Sequence, residues 1–374
     1  MILGIDASRC RSGGAINHIK GILKYFDPGS FEINEVHIWS YDKLLNEIPD
    51  YDWLKKHHTQ ALNHSIFAQL FWQFNTLSKI LKSLKCDILY TADASTLCSF
   101  KKQIVFSQDL LAYEPGIEKS YGISFSRIRL LLIRILQDRA FKNALGVVFL
   151  TNYTSNLIQK SCGHLKNYKV IPHGFNEIFS NVERTKILSK SIVCTYISNI
   201  DMYKNQENVV KSIEFLRKKY DIILNLVGGG EGRAFKNLSK QIKQSDPEGV
   251  FVSQYGFLTH EENIQILNKT DIFIFASSCE TFGITLLEGM AAGMTIACSN
   301  KSSLPELIED GGILFDPTNS SSISNALEQL ISNENLRLEL SIKARKISNK
   351  YSWRRCSVET FKYISETYKK YPNE

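Results

Sequence analysis

The stretch DIFIFASSCETFGITLLEGMAAG, residues 271–293, carries two local structures in succession. Asp271–Ala276 is a short apolar run rich in isoleucine and phenylalanine, as expected of a buried strand. A polar loop with Glu280 follows, and from near Gly283 the apolar residues take up helical spacing. Glu288 then lies about one turn into that helix, eight positions after Glu280. One carboxylate is thus predicted at the carboxyl end of a strand and a second on the helix behind it. Carboxylates accept hydrogen bonds from sugar and ribose hydroxyls, and a helix N-terminus offers free N–H groups to a further polar group. A capping role for Glu280 and a solvent-facing Glu288 are the plainer alternative. Glu288 stands among Leu286, Leu287, Met290 and Ala291, however, which is an unusual place for an idle charge.

The strand–helix unit recurs along the chain. Strands are predicted at Ile2–Asp6, Glu35–Ser40, Asp87–Thr91, Gln103–Ser107, Gly146–Leu150 and Lys169–Pro172. A second series is predicted at Ile192–Ile197, Ile222–Val227, Val250–Tyr255, Asp271–Ala276, Thr295–Cys298 and Gly312–Phe315. Strands alternating with helices imply parallel sheets covered on both faces, and two such series imply two doubly wound α/β domains. A length of 374 residues suits two cores better than one. The predicted division is 1–176, 190–352 and a terminal helix over 353–374, with the break around Phe175–Ser191, where Asn176, Ser180, Asn181 and Thr185 interrupt the pattern. Ligands of such sheets bind beyond the carboxyl ends of the strands, so two domains facing a central cleft would line it with their loops.

Hydrophobic residues make up 43% and charged residues 22%, a globular composition that excludes disordered and fibrous classes. The longest apolar stretches, Leu130–Leu136 (broken by Arg134) and Ala144–Leu150, are too short to span a bilayer. Met1–Asp6 reads as a core strand, not a signal peptide. The eight cysteines form no C-x-x-C pair and read as buried thiols in a cytosolic protein; Cys279, beside Glu280, reads as a core filler. The net charge of +7 arises wholly in residues 101–176, where 11 Lys/Arg face 4 Asp/Glu. That excess argues for an anionic neighbour such as membrane headgroups or a lipid-linked phosphate. For residues 124–144 a core helix with a charged outer stripe is the preferred reading, and a membrane-docking helix the alternative. Nucleic acid ranks last, because aromatic–basic interleaving is sparse.

At the N-terminus, DASRCRSGGAINHIK (residues 6–20) ends a strand at Asp6 and opens a helix after Gly13 and Gly14. Glycines there permit close approach of a ligand to backbone and a helix N-terminus, although an ordinary tight turn explains them equally. The spacing lacks the G-x-G-x-x-G of dinucleotide sites. Asp50-Tyr51-Asp52 precedes Trp53-Leu54-Lys55 and reads as a helix start, not a metal site. No cofactor or metal is predicted.

The Glu280/Glu288 frame resembles the signature of the retaining glycosyltransferases of family four, which have the GT-B fold. TNYTSNLI (151–158), VIPHGFN (170–176), YISNIDMYKNQENVVKSI (196–213), LNLVGGGE (224–231), QYGFLTHEENIQIL (254–267), SSLPELIEDGGILFDP (302–317) and YSW (351–353) follow in that family's order. GGAINHI and FSQDLLAYEP further resemble a branch that builds bacterial surface polysaccharides such as O-antigen and capsule.

The resemblance implies retaining, metal-independent transfer of a hexose from a UDP- or GDP-linked donor to a glycan or lipid-linked glycan, at the inner face of the cytoplasmic membrane. It implies Glu280 on the donor sugar near the reacting carbon, Glu288 on the ribose and Lys204 on the pyrophosphate. Gly13 and Gly14 would cradle the same phosphates, Gly283 and Ile284 would give backbone N–H groups, and Tyr255 would lie near the base. Two departures bear on this. Ser198-Asn199 stands where many members carry an arginine, which leaves Lys204, with Arg9 or Arg11, to neutralise the phosphates. Gln108-Asp109 stands where many carry a histidine, and Gln108 can hydrogen-bond a sugar but not act as a base. His173 in PHG is read as structural or ligand-contacting, and His18 as helix-surface or cleft-facing. A nucleotide-sugar 2-epimerase shares the implied fold and is the alternative reading.

Overall fold

The computed structural model describes residues 1–11, 13–122, 125–182 and 191–371. It separates into two compact units. One holds Met1–Glu118, the chain up to Gly174 beyond it, and Tyr351 onward; the other holds Phe175–Lys350 together with Lys119–Gly122. Of the residues read as marking the break, Thr185 lies outside the described residues.

The first unit is built on seven strands, β1 (Ile2–Asp6), β2 (Glu35–Ser40), β3 (Leu54–His58), β4 (Ile88–Thr91), β5 (Gln103–Phe106), β6 (Gly146–Phe149) and β7 (Tyr168–Val170), in the order β3-β2-β1-β4-β5-β6-β7. The second has six, β8 (Ile192–Ile197), β9 (Ile222–Val227), β10 (Val252–Tyr255), β11 (Ile272–Phe275), β12 (Thr295–Ser299) and β13 (Gly312–Phe315), ordered β10-β9-β8-β11-β12-β13. Every pairing is parallel. The central strands are buried on both faces, which is why they read as continuous apolar runs and not as alternating ones. In each sheet the order reverses once, between β1 and β4 and between β8 and β11, and these are the switch points at which such sheets bind ligands.

One strand escaped the sequence reading. Asp50-Tyr51-Asp52 precedes a strand, not a helix, and Trp53–His64 contains β3 and a short 3-10 turn (Gln60–Asn63). β3 has the sequence LKKHH and lies at the sheet edge, where polar side chains are tolerated and no apolar pattern is required. His57 stacks on Trp39 with ring centroids 4.8 Å apart, so packing replaces the missing aliphatic residue. The aspartates stay outside, with Asp50 paired to Lys56 at 2.6 Å.

The helix Trp353–Lys370 packs in the first unit against the helix Gly13–Lys24. Ser357 donates to the Ile22 carbonyl at 2.6 Å, and Gly21 lies so close to the Trp353 ring that an added Cβ would come within 2.4 Å of it. The terminal helix therefore returns to the first sheet.

The helix Phe125–Asn143 corrects an expectation. Its inward side is mixed: Gln137 is buried with Ala140 and Phe141, Arg134 donates to Ser161 at 2.9 Å, and Asp138 accepts from Tyr113 and Ser161, both at 2.9 Å. Phe125, Ile128, Leu131, Leu132 and Ile135 are exposed alongside Arg127, Arg129, Arg139 and Lys142, so the outer face is apolar as well as charged. No helix among the described residues is long and apolar enough to cross a membrane. All eight cysteines are buried free thiols, as expected.

Candidate functional site

In the second unit the chemistry gathers at the β8/β11 switch point. After β8 the chain makes a 3-10 turn, Met202–Lys204, capped by Asp201 accepting from the Met202 N–H at 2.7 Å. Asn205 follows at φ 53, a left-handed conformation that asparagine adopts more readily than most residues. Its side-chain amide donates to the carbonyls of Tyr203 (2.9 Å) and Ala276 (2.8 Å) and to the Ser278 hydroxyl (2.7 Å). One amide thus staples the turn after β8 to the loop after β11, and the Tyr196 hydroxyl adds a bond to the Lys204 carbonyl at 2.8 Å. The result is an ion pair between Lys204 and Glu280, with the two side chains only 8% and 16% exposed.

Glu280 is fixed from the other side by serines. Ser302 accepts from its N–H at 3.0 Å and donates to its carbonyl at 2.9 Å, and Ser303 donates to the same carbonyl at 2.7 Å. A paired charge this far from water is retained only where geometry holds it, and removing either partner strands the other. The predicted pyrophosphate lysine and the predicted sugar carboxylate are therefore in contact, though 76 residues apart in sequence.

Glu288 lies on the helix Ile284–Ala291. Gly289 beside it is required by packing, since a Cβ there would meet the Phe273 ring at 2.9 Å. The Glu288 carboxylate is half-buried with no side-chain partner among the described residues, and burial pushes its pKa up to about 8. A carboxylate desolvated and left unpaired is costly. Gly283 caps the same helix at φ 102, a region open to glycine, and leaves the first N–H groups from Ile284 onward without intrahelical partners. Tyr255, at the end of β10, is exposed. Ser198-Asn199 supplies backbone and no charge: Gly228, at φ 125, fits so tightly that a Cβ would sit 2.1 Å from the Ser198 carbonyl.

In the first unit Gly13 opens the helix Gly13–Lys24, and among the described residues a Cβ there would meet nothing within 4 Å. The Gln108 amide, oriented to suit both neighbours, donates to Ala92 O at 3.0 Å and accepts from Ala15 N–H at 2.6 Å. It thus fills one of the N-terminal N–H groups of that helix. Asp109 is exposed, accepting from the Leu111 N–H at 2.9 Å. Arg9 pairs with Asp93 at 3.3 Å and donates to the Ser95 carbonyl at 2.7 Å, while Arg11 bonds the Leu62 carbonyl and lies 3.7 Å over the Tyr41 ring. Both arginines are thus engaged within their own unit.

The two histidines are core residues. His18 is not on the helix surface: it is 1% exposed, bonded to the Tyr90 hydroxyl at 2.8 Å and stacked on Phe106 at 4.1 Å, and burial lowers its pKa to about 3. His173 is buried 5.1 Å from His18 and 5.1 Å from Trp353 by ring centroids, and burial holds it neutral too. Among the described residues no three His, Cys, Asp or Glu are grouped to hold a metal ion. Sequence reasoning missed Asn205, Ser302, Ser303 and Tyr196. The first follows Lys204 directly and the serines open a quoted motif, but their work is done through backbone geometry.

Residues 178–347 match the family described as glycosyl transferases group 1. O-antigen chain mannosyltransferase B of Escherichia coli is 26% identical over 169 residues, 44% of this chain and 43% of that protein. The chain thus aligns with less than half the length of the first curated relatives it matches. An uncharacterized glycosyltransferase of Haemophilus influenzae is 27% identical over 298 residues, 78% of this chain and 79% of that protein. Among solved structures, sucrose-phosphate synthase of Thermosynechococcus elongatus superposes with a TM-score of 0.77 at 14% identity, covering 96% of this chain and 97% of that one. Anabaena Alr3699/HepE in complex with UDP and glucose gives 0.71 at 19% identity, over 96% and 97%.

Proposed function

We propose that the chain moves a hexose from a nucleotide diphosphate donor, UDP- or GDP-linked, to a glycan acceptor, a reading supported by its GT-B fold and by the match of residues 178–347 to the glycosyl transferases group 1 family. The observation that carries this reading is the Lys204–Glu280 pair, locked at the β8/β11 switch point with the unpaired Glu288 on the helix that follows. Lys204 takes the pyrophosphate and stabilises the charge that grows on the leaving group. Glu280, released from part of its pairing, accepts from hydroxyls of the transferred sugar. Glu288 accepts from the ribose, Gly283 and Ile284 present N–H groups, and Tyr255 lies toward the base. In the first unit the Gly13–Gly14 turn contacts phosphate, and the exposed Asp109 contacts the sugar. Gln108, bonded to backbone on both sides, acts by holding the helix start.

Transfer proceeds with retention and without a metal, the leaving phosphate accepting the acceptor's proton. The acceptor is a glycan or lipid-linked glycan of a bacterial surface polysaccharide, a reading supported by the E. coli O-antigen relative. A lipid-linked acceptor brings the enzyme to the cytoplasmic face of a membrane, where the basic excess of 101–176 meets anionic headgroups.

The test is incubation of UDP- and GDP-hexoses with the enzyme, a lipid-linked acceptor extract and a chelator. The reading expects one nucleotide released with an acceptor product of unchanged anomeric configuration. An inverted product contradicts retention, a requirement for divalent metal contradicts metal independence, and recovery of the donor's 2-epimer without any acceptor turns the reading to an epimerase.

A further inference from the structure

The second unit runs continuously over Phe175–Lys350, yet four residues from much earlier in the chain, Lys119–Gly122, pack as part of it. From this segment the Tyr121 hydroxyl donates to Oδ1 of Asp201 at 3.2 Å, across 80 residues of sequence. The same carboxylate oxygen accepts from the Met202 N–H at 2.7 Å and so caps the turn Met202–Lys204. Tyr121 therefore grips the residue that starts the turn bearing Lys204.

The far end of that turn is held by the fold of the unit itself. Asn205 staples it to the loop after β11, the Tyr196 hydroxyl bonds the Lys204 carbonyl, and the Gln206 amide donates to the Asn199 carbonyl at 2.9 Å. Beneath it Ile200 is packed so closely that a Cβ on Gly230 would come within 2.6 Å of the Ile200 Cβ. At the near end the grip is a half-buried carboxylate, and Tyr121 holds that carboxylate. The Lys204 ammonium meanwhile sits against Glu280, 4.9 Å from the Tyr203 ring centroid and 5.8 Å from that of Phe275. A small shift of the turn is enough to re-aim a charge confined in this way.

The chemistry favours an orienting role over a purely structural one. Tyr121 is only half-buried, so water can satisfy its hydroxyl and a direct bond adds little to folding stability. A hydroxyl donating to a carboxylate is nevertheless among the stronger hydrogen bonds. Two donors on one oxygen also restrict where the Asp201 side chain can turn, and with it the first N–H of the turn.

We propose that Tyr121 is a positioning residue for the diphosphate of the donor: its hydroxyl fixes Asp201, Asp201 fixes the turn, and the turn aims the Lys204 ammonium at the phosphates. Tyr121 itself touches no substrate in this role. The inference deepens the proposed donor site and rests on the reading that Lys204 takes the pyrophosphate.

The test compares the full chain with Tyr121→Phe, which keeps the ring and removes only the donor. UDP and GDP are titrated by calorimetry, and the free nucleosides uridine and guanosine by NMR line shifts. Tyr121→Phe should weaken the preferred diphosphate about five- to tenfold and leave its nucleoside unchanged, since the loss falls on the phosphates. Asp201→Ala should weaken the diphosphate at least as much, and the double variant no further, because both side chains act through one oxygen. Diphosphate binding equal to the parent's overturns the inference. So does an equal loss of diphosphate and nucleoside, the mark of a loosened unit, and so does a double variant whose losses add. A parent chain that binds neither diphosphate fails the donor reading itself, a result distinct from a parent that binds and a Tyr121→Phe variant that binds equally well.

Discussion

At the residue scale, two side chains carry the most specific expectations. Glu288 is raised from the usual carboxylate range to about 8 by burial. The unfolded chain therefore ionises this group first, and its contribution to stability, full below about pH 4.5, is lost as pH rises through 8. Glu288→Gln should accordingly melt higher than the parent at pH 9 and about equally at pH 4, read by calorimetry. If the ribose needs the carboxylate, nucleotide binding releases a proton below pH 8. Affinity then tightens by up to about tenfold per pH unit between 6 and 8, and Glu288→Gln flattens that profile. The second side chain is Asn205. Asn205→Ala strands the Tyr203 and Ala276 carbonyls at a cost of about 1–3 kcal/mol. It also frees the Lys204 turn, so kcat should fall by about ten- to a hundredfold with a smaller change in donor KM. Equal kcat in a folded variant would mean that the staple does not position the pair. Glu280, Glu288 and Lys204 stand in ordered motifs that single them out in the sequence. Asn205, Ser302 and Ser303 are not singled out, because their contribution is to backbone carbonyls and N–H groups that no side-chain pattern encodes.

At the scale of elements, the strands buried on both faces were readable because burial forces continuous Val, Ile and Phe runs. β3 was not, because LKKHH at an edge is under no such demand. The helix Phe125–Asn143 misled for a related reason: its periodicity was clear, but which face meets the sheet was decided by Gln137, Arg134 and Asp138 finding buried partners. The terminal helix docks through backbone closeness as much as side chains. A Cβ on Gly174 would lie 2.0 Å from the Trp353 N–H nitrogen, a clash that backbone cannot relieve by a rotamer change. Gly174→Ala should therefore destabilise by more than the about 1–3 kcal/mol typical of overpacking, with protease sensitivity appearing at the terminal helix. A variant that melts like the parent would show that this junction relaxes freely.

At the scale of the whole molecule, the proposed function assigns the nucleotide sugar to the switch point of the second unit, while the first unit turns apolar helix faces to solvent. The central claim is donor binding through Lys204 and Glu288, and it is tested most directly by thermal melting of the purified chain with UDP or GDP and a chelator present. Nucleotide at about 100 times its dissociation constant adds ~2.7 kcal/mol, or roughly 5–10 °C for a unit of this size. The account predicts such a shift with one of the two nucleotides, lost in Lys204→Ala and in Glu288→Ala. A folded protein that shifts with neither nucleotide, or whose shift survives both substitutions, would contradict it.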